Sequence, residues 1–371
     1  MYTYTLLLVF AAAMPGADAS RSPGLSVAPA KVTLAGPRAS QRLLVLDTDA
    51  AGRAVSDRTS DARFTSSNVA VCRVDADGVV HAAGDGSATV TAIVKGKKAN
   101  TTVTVTRAKE TDVPDFRNHI EPVLTKSGCN SGACHGALAG KGGFKLSLRG
   151  FDPVTDHFVM TRQANARRVN RTDPANSLVL LKPTRTLKHG GGRRFETDSE
   201  EYRRIRDWIA AGAPPPQSDA PKLQRLELFP PAAVVKPQDK LRVIVRAWYG
   251  DGHAEDITPW VRFSSSADQV ATVDPDGGVT VQGPGEATIS VWYMNVVGGM
   301  VVSVPLSGTV DAKVVDSRLA KQMTFVARWG SGCGTPFDAN EFLEKRPQFE
   351  WMRGILRNRG SNPWVTFHTG E

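Results

Sequence analysis

The sequence contains few cysteines and, after its first residues, no long apolar run. Four of its 371 residues are cysteine, too few for an exported domain that depends on a disulfide framework. None of the later apolar runs is long enough to cross a bilayer, so we expect no transmembrane segment. The net charge of +9 comes from basic residues spread along the chain. No nucleic-acid-binding motif accompanies them, so we expect no nucleic-acid partner.

Catalytic motifs are absent as well. The sequence shows no nucleophile beside a base, no phosphate-binding glycine loop and no paired carboxylates, so it gives no reason to expect an enzyme. His119 and His253 stand alone in the sequence, and we expect them to be structural or exposed.

Residues 1–19 are typical of a signal peptide. The apolar run Leu6–Met14 is followed by Ala17–Ala19, an A-x-A cleavage pattern. The run is too short to span a membrane. We therefore expect an exported protein, either periplasmic or at the cell surface.

Two stretches of the chain, which begin at Phe64 and Phe263, are similar to each other. Both open with Phe-x-Ser-Ser, continue into a V-D-x-D-G turn and end in alternating small and β-branched residues. An Asp-Gly pair between runs of period two is typical of a β-hairpin. Each copy therefore predicts several short strands arranged as a β-sandwich.

The two repeats resemble group 2 bacterial immunoglobulin-like domains. The resemblance covers residues 24–107 and 222–308 and depends on the V-D-x-D-G and G-x-G-x-A-T patterns. In that family such domains are spacers and surface modules, so the resemblance implies the same for these two segments.

Residues 113–216, between the repeats, follow a different pattern of apolar residues. Alternation gives way to apolar residues at helical spacing near both ends of the segment: Phe116, Ile120, Val123 and Leu124, then Tyr202, Ile205, Trp208 and Ile209. Asp198 or Ser199 is placed to cap the second helix, and Gly212 to end it. We predict a mainly α domain here, joined to the second sandwich by Pro214–Pro216.

The most informative motif is Cys129–His135, with the spacing C-x4-C-H. Covalent haem attachment needs two thiols for the porphyrin vinyl groups and an imidazole directly after the second thiol. The common signature for this attachment is C-x-x-C-H. Here the Cys-His step is kept and only the intervening loop is longer, so the motif predicts haem c.

Two other chemistries remain open for the cysteine pair. An exported protein can oxidise Cys129 and Cys134 to a disulfide. Together with His135 and His189, they also have the ligand count of a zinc site. Neither alternative explains why a histidine directly follows the second cysteine.

The surroundings of the motif resemble the cytochrome c domains of large exported proteins of planctomycete type. The matching segments are I-E-P-V-L at 120–124, G-C-N-S-G-A-C-H-G at 128–136, F-K-L-S-L-R-G-F-D-P at 144–153, D-P-A-N-S-L at 173–178, H-G-G-G at 189–192 and W-I-A-A-G-A at 208–213. The resemblance implies that Cys129 and Cys134 carry the haem and that His135 is the proximal iron ligand.

The sixth iron ligand departs from the usual pattern of such cytochromes. They take a methionine just before the last helix, and in this chain His189 holds that place. We therefore expect bis-histidine iron, with Met160 and His157 as competing ligands. Because a methionine ligand raises the haem potential, a histidine in its place should lower it.

The sequence as a whole predicts a multidomain protein with two all-β immunoglobulin-like sandwiches flanking a mainly α cytochrome c-like domain. We expect an exported electron carrier that meets a redox partner protein of unknown identity and that can also contact a cell-surface component. The alternative is a redox-inert cell-surface binding or adhesion protein whose central module is stabilised by a disulfide or by zinc. Residues 309–371 match no sequence pattern of a known domain, so we assign them as a linker and an unassigned tail. A third hypothesis is a fragment of a larger redox protein, because the resembling proteins carry a long region after the second sandwich.

Overall fold

The computed structural model describes residues 24–111 and 113–305. The predicted signal peptide and the tail at 309–371 lie outside the described residues. Within the described ranges, no helix has the length and apolar character needed to cross a membrane.

Ten short strands form the first sandwich. They are β1 (Gly24–Ala28), β2 (Lys31–Ala35), β3 (Ser40–Arg42), β4 (Leu44–Thr48), β5 (Ala54–Asp57), β6 (Arg63–Ser66), β7 (Cys72–Val74), β8 (Val79–Ala82), β9 (Gly86–Val94) and β10 (Lys97–Thr106). They pair in the orders β1-β4-β5, β2-β10-β9-β6 and β3-β8-β7. In β9 every second side chain is buried, because alternate residues of a strand point to opposite faces of the sheet.

The second sandwich repeats this order of strands. Its strands are β11 (Leu223–Phe229), β12 (Ala232–Val234), β13 (Lys240–Arg242), β14 (Ile244–Tyr249), β15 (Ala254–Asp256), β16 (Arg262–Ser265), β17 (Ala271–Val273), β18 (Gly278–Val281), β19 (Gly285–Tyr293) and β20 (Val296–Val304). The pairings β11-β14-β15, β12-β20-β19-β16 and β13-β18-β17 correspond one by one to those of the first sandwich.

One packing contact explains two separate features of the sequence repeat. Gly78 and Gly277 adopt positive φ values of 80° and 87° in the Asp-Gly turns, where a side chain is strained. A Cβ at Gly78 would lie 2.8 Å from the Phe64 ring, and one at Gly277 would lie 3.0 Å from the Phe263 ring. The phenylalanine of the Phe-x-Ser-Ser opening thus packs on the glycine of its own hairpin turn in both copies.

The two sandwiches are joined directly, although a hundred-residue segment separates them in the sequence. Strand β5 of the first pairs in parallel with β12 of the second, and a seven-stranded sheet runs across both, in the order β1-β4-β5-β12-β20-β19-β16. Beside this pairing the Asp57 carboxylate accepts the Arg242 backbone N–H at 2.9 Å. Reciprocally, the Asp256 carboxylate accepts the Arg42 backbone N–H at 2.7 Å. We call this set of contacts the sandwich junction.

The segment between the sandwiches, which we call the central module, contains only short helices. They are α1 (Glu121–Lys126), α2 (Pro153–Thr161), α3 (Leu178–Leu181) and α4 (Glu200–Ala210), with a π-helical turn at Phe116–Ile120 and 3-10 turns at Leu148–Gly150 and Pro174–Asn176. The protein is mostly β, and most of the central module is turn and loop. The helical segments predicted near both ends are present, but the module is not mainly α. Its likeness to a cytochrome c domain stays a prediction. Helix α4 begins as expected, because the Ser199 hydroxyl accepts the Tyr202 N–H, and Gly212 follows it at a φ of 93°.

The central module packs on the second sandwich. Buried side chains of the two form one continuous hydrophobic core, which also includes Leu44, Leu46 and Ala54 of the first sandwich; the other buried residues of the first sandwich form a core of their own. The Tyr293 hydroxyl donates to the Asn118 carbonyl at 2.9 Å, and the His119 Nε2 lies 3.3 Å from a Glu255 oxygen. His253 also contacts Glu255, with 3.4 Å between Nε2 and Oε1. Both lone histidines are therefore part of the packing between protein elements.

We predict that Asp57→Ala destabilises the protein by about 1–3 kcal/mol, because a buried N–H that loses its acceptor keeps its full desolvation penalty. The Asp57 side chain is 7% exposed. Its carboxylate accepts hydrogen bonds from the Arg242 backbone N–H and from the N–H and hydroxyl of Thr59. Chemical denaturation of the full chain measures the change. Asp61→Ala is the control, because the Asp61 side chain is 49% exposed and pairs only with Arg58 at 3.6 Å. Equal small losses in the two variants would contradict the prediction.

Candidate functional site

A cavity of about 380 Å³ opens in the central module, and all four residues singled out by the sequence line it. These are Cys129, Cys134, His135 and His189. Other parts of the wall are apolar or basic: Leu124, Phe144, Met160, Leu178 and Val179, and Lys141, Arg167, Arg168, Lys182 and Arg194. The cavity thus combines thiols, imidazoles, an apolar surface and positive charge.

The segment 128–136, which we call the attachment loop, begins where α1 ends. Gly128 takes a φ of 72°, and the Cys129 N–H then donates back to the Leu124 carbonyl at 2.8 Å. Such a reversal after a helix is a common use of glycine. The His135 N–H donates to the Cys129 carbonyl at 2.9 Å. The four residues between the cysteines are therefore folded back as a compact bulge, and both thiols and the imidazole line the cavity.

Asn130 and Gly136 fix the shape of the attachment loop. Asn130 is 1% exposed, and its side-chain amide donates to the Thr125 hydroxyl of α1 at 2.8 Å. A Cβ at Gly136 would lie 2.2 Å from the Asn130 carbonyl oxygen, a distance that no side chain tolerates. The loop is thus held by the protein's own hydrogen bonds and by one residue without a side chain.

The rings of His135 and His189 both line the cavity and lie close to parallel. Their centroids are 6.3 Å apart and their planes differ by 14°. Metal–imidazole bonds are about 2 Å long and a ring nitrogen lies about 1 Å from the ring centre, so two imidazoles on opposite sides of one metal have centroids about 6 Å apart. The observed centroid separation is close to that distance.

Hydrogen bonds assign the free nitrogen of each ring. The His135 Nδ1 lies 2.9 Å from the Phe144 carbonyl oxygen, and the His189 Nδ1 lies 2.8 Å from the Gly192 carbonyl oxygen. A carbonyl only accepts, so each Nδ1 carries the proton and each Nε2 keeps its lone pair. Metal-binding histidines commonly use this same contact to set their tautomer. Burial also lowers the pKa of His135, which favours the neutral, ligating form.

The two thiols lie in different surroundings. Cys129 is buried, and this burial raises the pKa of its thiol to about 12. The Cys134 sulfur is partly exposed and accepts a hydrogen bond from the Arg194 guanidinium at 3.3 Å. Both cysteines are free thiols in the structure, so the structure does not contain the disulfide of the alternative prediction. In the described part of the chain, no group of three or more His, Cys, Asp or Glu is placed to hold a bare metal ion.

The competing iron ligands are placed differently from each other. Met160 is fully buried and lines the cavity. His157 is not among the lining residues, and its Nε2 lies 3.0 Å from the Ala213 carbonyl oxygen. The structure therefore brings Met160 to the cavity, but not His157.

Arg168 holds parts of the cavity wall together, a role that the sequence did not predict. It is 5% exposed, and its guanidinium donates to the carbonyls of Val159 and Gly143, each at 2.8 Å. It also lies over the Phe144 ring, 4.7 Å from its centre. A single arginine thus ties three separate chain segments together, which no local pattern around residue 168 indicates.

Comparison with known proteins identifies one part of the chain. Residues 23–107 match the family described as bacterial Ig-like domain (group 2). The first sandwich is a group 2 bacterial Ig-like domain. This confirms the resemblance noted for the first repeat. Among curated proteins, none matches the chain.

Similarities to solved structures are weak. Domains 5–6 of the S-layer protein SbsC are 12% identical, with a TM-score of 0.30, over 77% of this chain and 100% of that one. Domains 4 and 5 of SbsC are 14% identical, with a TM-score of 0.20, over 71% and 90%. Human protocadherin-24 EC1-2 is 9% identical, with a TM-score of 0.17, over 78% and 100%. At these scores the similarities carry no argument about function.

We predict that Gly136→Ala lowers the free energy of unfolding by about 1–3 kcal/mol or more, because the new methyl group forces apart two packed backbone segments. Gly190→Ala is the matched control, since a Cβ there has no neighbour within 4 Å. Chemical denaturation of both full-length variants measures the difference. If the two substitutions were equally tolerated, the tight packing of the attachment loop would be refuted.

Proposed function

We propose that the central module binds haem c and carries electrons outside the cytoplasm. The observation that supports this most strongly is the pair of near-parallel imidazoles, 6.3 Å apart, whose Nε2 atoms are both free to bind a metal. Next to them lie the two thiols of a C-x4-C-H motif in the same cavity wall. Covalent haem attachment accounts for all four residues: two thiols, the histidine directly after the second thiol, and a second iron ligand. In the described residues, no group of three or more His, Cys, Asp or Glu is placed to hold a bare metal ion.

The remaining wall also fits a porphyrin. Its apolar part suits the macrocycle, which is flat and largely hydrophobic. Lys141, Arg167 and Lys182 line the same cavity and are of the right charge for the propionate groups. Arg194 already contacts the Cys134 sulfur, so it is placed at the attachment side.

Bound haem supplies a one-electron couple between Fe(III) and Fe(II). The chain's own residues set the conditions for that couple. Carbonyl contacts at Nδ1 hold His135 and His189 in one tautomer and one orientation, so little rearrangement accompanies a change in iron charge. A second histidine in place of the usual methionine favours a lower potential. The Ig-like sandwiches act as a rigid support that holds the module outside the cell membrane.

A redox-inert cell-surface binding protein is the second candidate. The observation that favours it is the match of residues 23–107 to a bacterial Ig-like domain (group 2), a type of domain that serves as a surface module. In this candidate the central module is a structural element, and its cavity has no cofactor.

Visible spectroscopy separates the two candidates. We expect the full chain, exported in a host that matures c-type haem, to show a sharp reduced α-band after dithionite. The band should survive acid-acetone extraction, because thioether bonds resist it. The double variant Cys129→Ser and Cys134→Ser is the control and should lose covalent haem. A colourless wild-type protein, from a host that matures a control cytochrome, would favour the surface-module candidate.

The sixth ligand has its own test. We expect His189→Ala to open one iron position, so that the reduced variant binds carbon monoxide while the reduced wild type does not. Met160→Leu is the matched control at the competing position, and it should leave the iron closed to carbon monoxide. Carbon monoxide difference spectra measure both. The reverse pattern would assign the sixth ligand to Met160.

A further inference from the structure

Helix α2 of the central module is apolar on both of its sides. Its inner side buries Val159 and Met160. On its other side Val154 and Phe158, one turn apart, are both exposed. Phe151, directly before the residue that caps this helix, is 88% exposed. Because a helix with apolar residues all round is normally covered all round, we expect the outer side of α2 to have an occupant.

The second sandwich extends this exposed surface. The Arg149 guanidinium, from the turn before α2, lies over the Trp292 ring, 4.2 Å from its centre. Trp292 is exposed, and so is Val297, its partner across the ladder between β19 and β20. Paired residues of adjacent antiparallel strands are neighbours on one face of a sheet, so these two side chains form an apolar row beside the turn. We call the following exposed side chains the apolar patch: Leu148, Phe151, Val154, Phe158, Trp292 and Val297.

Three arginines border the apolar patch. Arg149 lies over the Trp292 ring. Arg162 is exposed and follows Phe158 by one helical turn, since its N–H donates to the Phe158 carbonyl at 2.8 Å. Arg262 is exposed as well and pairs with Trp292 across the ladder between β16 and β19. Negative charge on an occupant would therefore complement the border of the patch.

Acidic residues of the same segment are engaged elsewhere. Between residues 148 and 162 the chain has two of them. Asp156 is buried, and the Asp152 carboxylate accepts the Thr155 N–H as the cap of α2. A second copy of this chain, docked patch to patch, would bring the same arginines opposite each other. Because like charges across an interface are unfavourable, the border of the patch argues against self-association.

We propose that the apolar patch binds the surface of a membrane that contains anionic lipids. Its aromatic and aliphatic side chains enter the boundary between headgroups and acyl chains, and the bordering arginines attract the lipid phosphates. Tryptophan is typical of this boundary layer. Phe151 and Phe158 are 88% and 57% exposed, so each protrudes on its own. Fluid lipid accommodates such side chains without pockets of matching shape.

The apolar patch adjoins the proposed haem site. A Cβ at Gly132, in the attachment loop, would lie 3.9 Å from the Leu148 side chain. Membrane contact through the patch therefore brings the attachment loop close to the lipid surface. Membrane binding needs no haem, so the proposal is tested independently of the proposed electron transfer.

Co-sedimentation of the full chain with lipid vesicles tests the proposal. We expect binding to vesicles of phosphatidylglycerol and phosphatidylcholine, and much weaker binding to phosphatidylcholine alone. The double variant Phe151→Ser and Phe158→Ser should lower the partition coefficient on the mixed vesicles about tenfold or more, because two large apolar side chains lose their burial. Val69→Ser is the matched control. Val69 is an exposed apolar residue of the first sandwich, and its replacement should leave binding unchanged.

Two further variants report on the charge and on the depth of the contact. Arg262→Gln should weaken binding to the mixed vesicles about fivefold and leave the weak binding to phosphatidylcholine unchanged. Brominated acyl chains should quench tryptophan fluorescence in the wild type, and Trp292→Phe should remove most of that quenching. Circular dichroism checks that each variant is folded.

Two results would overturn the proposal. Wild-type protein that stays in solution with the mixed vesicles would leave an acidic protein as the occupant of the apolar patch. Equal binding by wild type and by the double phenylalanine variant, abolished by high salt in both, would show that charge alone holds the protein to the lipid. Either result leaves the haem proposal untouched, since vesicle binding is measured without reference to colour.

Discussion

Backbone N–H groups where two domains meet need acceptors, and the sandwich junction depends on the two aspartates that supply them. The N–H groups of Arg42 and Arg242 lie where one sandwich meets the other, and an aspartate from the opposite sandwich accepts each of them. The same two carboxylates also satisfy a threonine in their own 3-10 turn. Because an unpaired buried N–H carries its full desolvation penalty, these contacts specify one relative placement of the sandwiches. The central module must then span two fixed points.

A fixed support allows the functional region itself to be irregular. Loops position reactive groups well only when a rigid scaffold holds their ends. Here the module shares a hydrophobic core with the second sandwich, and the attachment loop is bound to α1 through Asn130. The two imidazoles are each held by a backbone carbonyl from a loop. The geometry of the cavity therefore depends on many local hydrogen bonds in loops that are anchored on one large apolar core. Long helices play no part in it.

Local patterns predicted much of this arrangement. The Phe-x-Ser-Ser and Asp-Gly signals identified two sandwiches because the ring and the glycine touch within each hairpin. The Cys-His step and the glycines after His189 pointed to residues that do line one cavity. The short helices were less predictable, since the module contains many residues at positive φ that interrupt helical spacing: Gly128, Gly140, Gly142, Gly143, Arg149 and Gly150. The Arg168 contacts and the sandwich junction were not predictable. Each joins residues far apart in sequence whose own neighbourhoods carry no periodic signal.

The continuous seven-stranded sheet has a mechanical consequence. Its outer members include β1, where the described chain begins, and it also contains β20, where the described chain ends. Tension applied to these two strands is transmitted sideways from strand to strand through β4, β5 and β12. The loops around the cavity lie off this load path, although they fall between the two strands in sequence. A protein built in this way can carry load through the sheet while the geometry of the cavity stays unloaded.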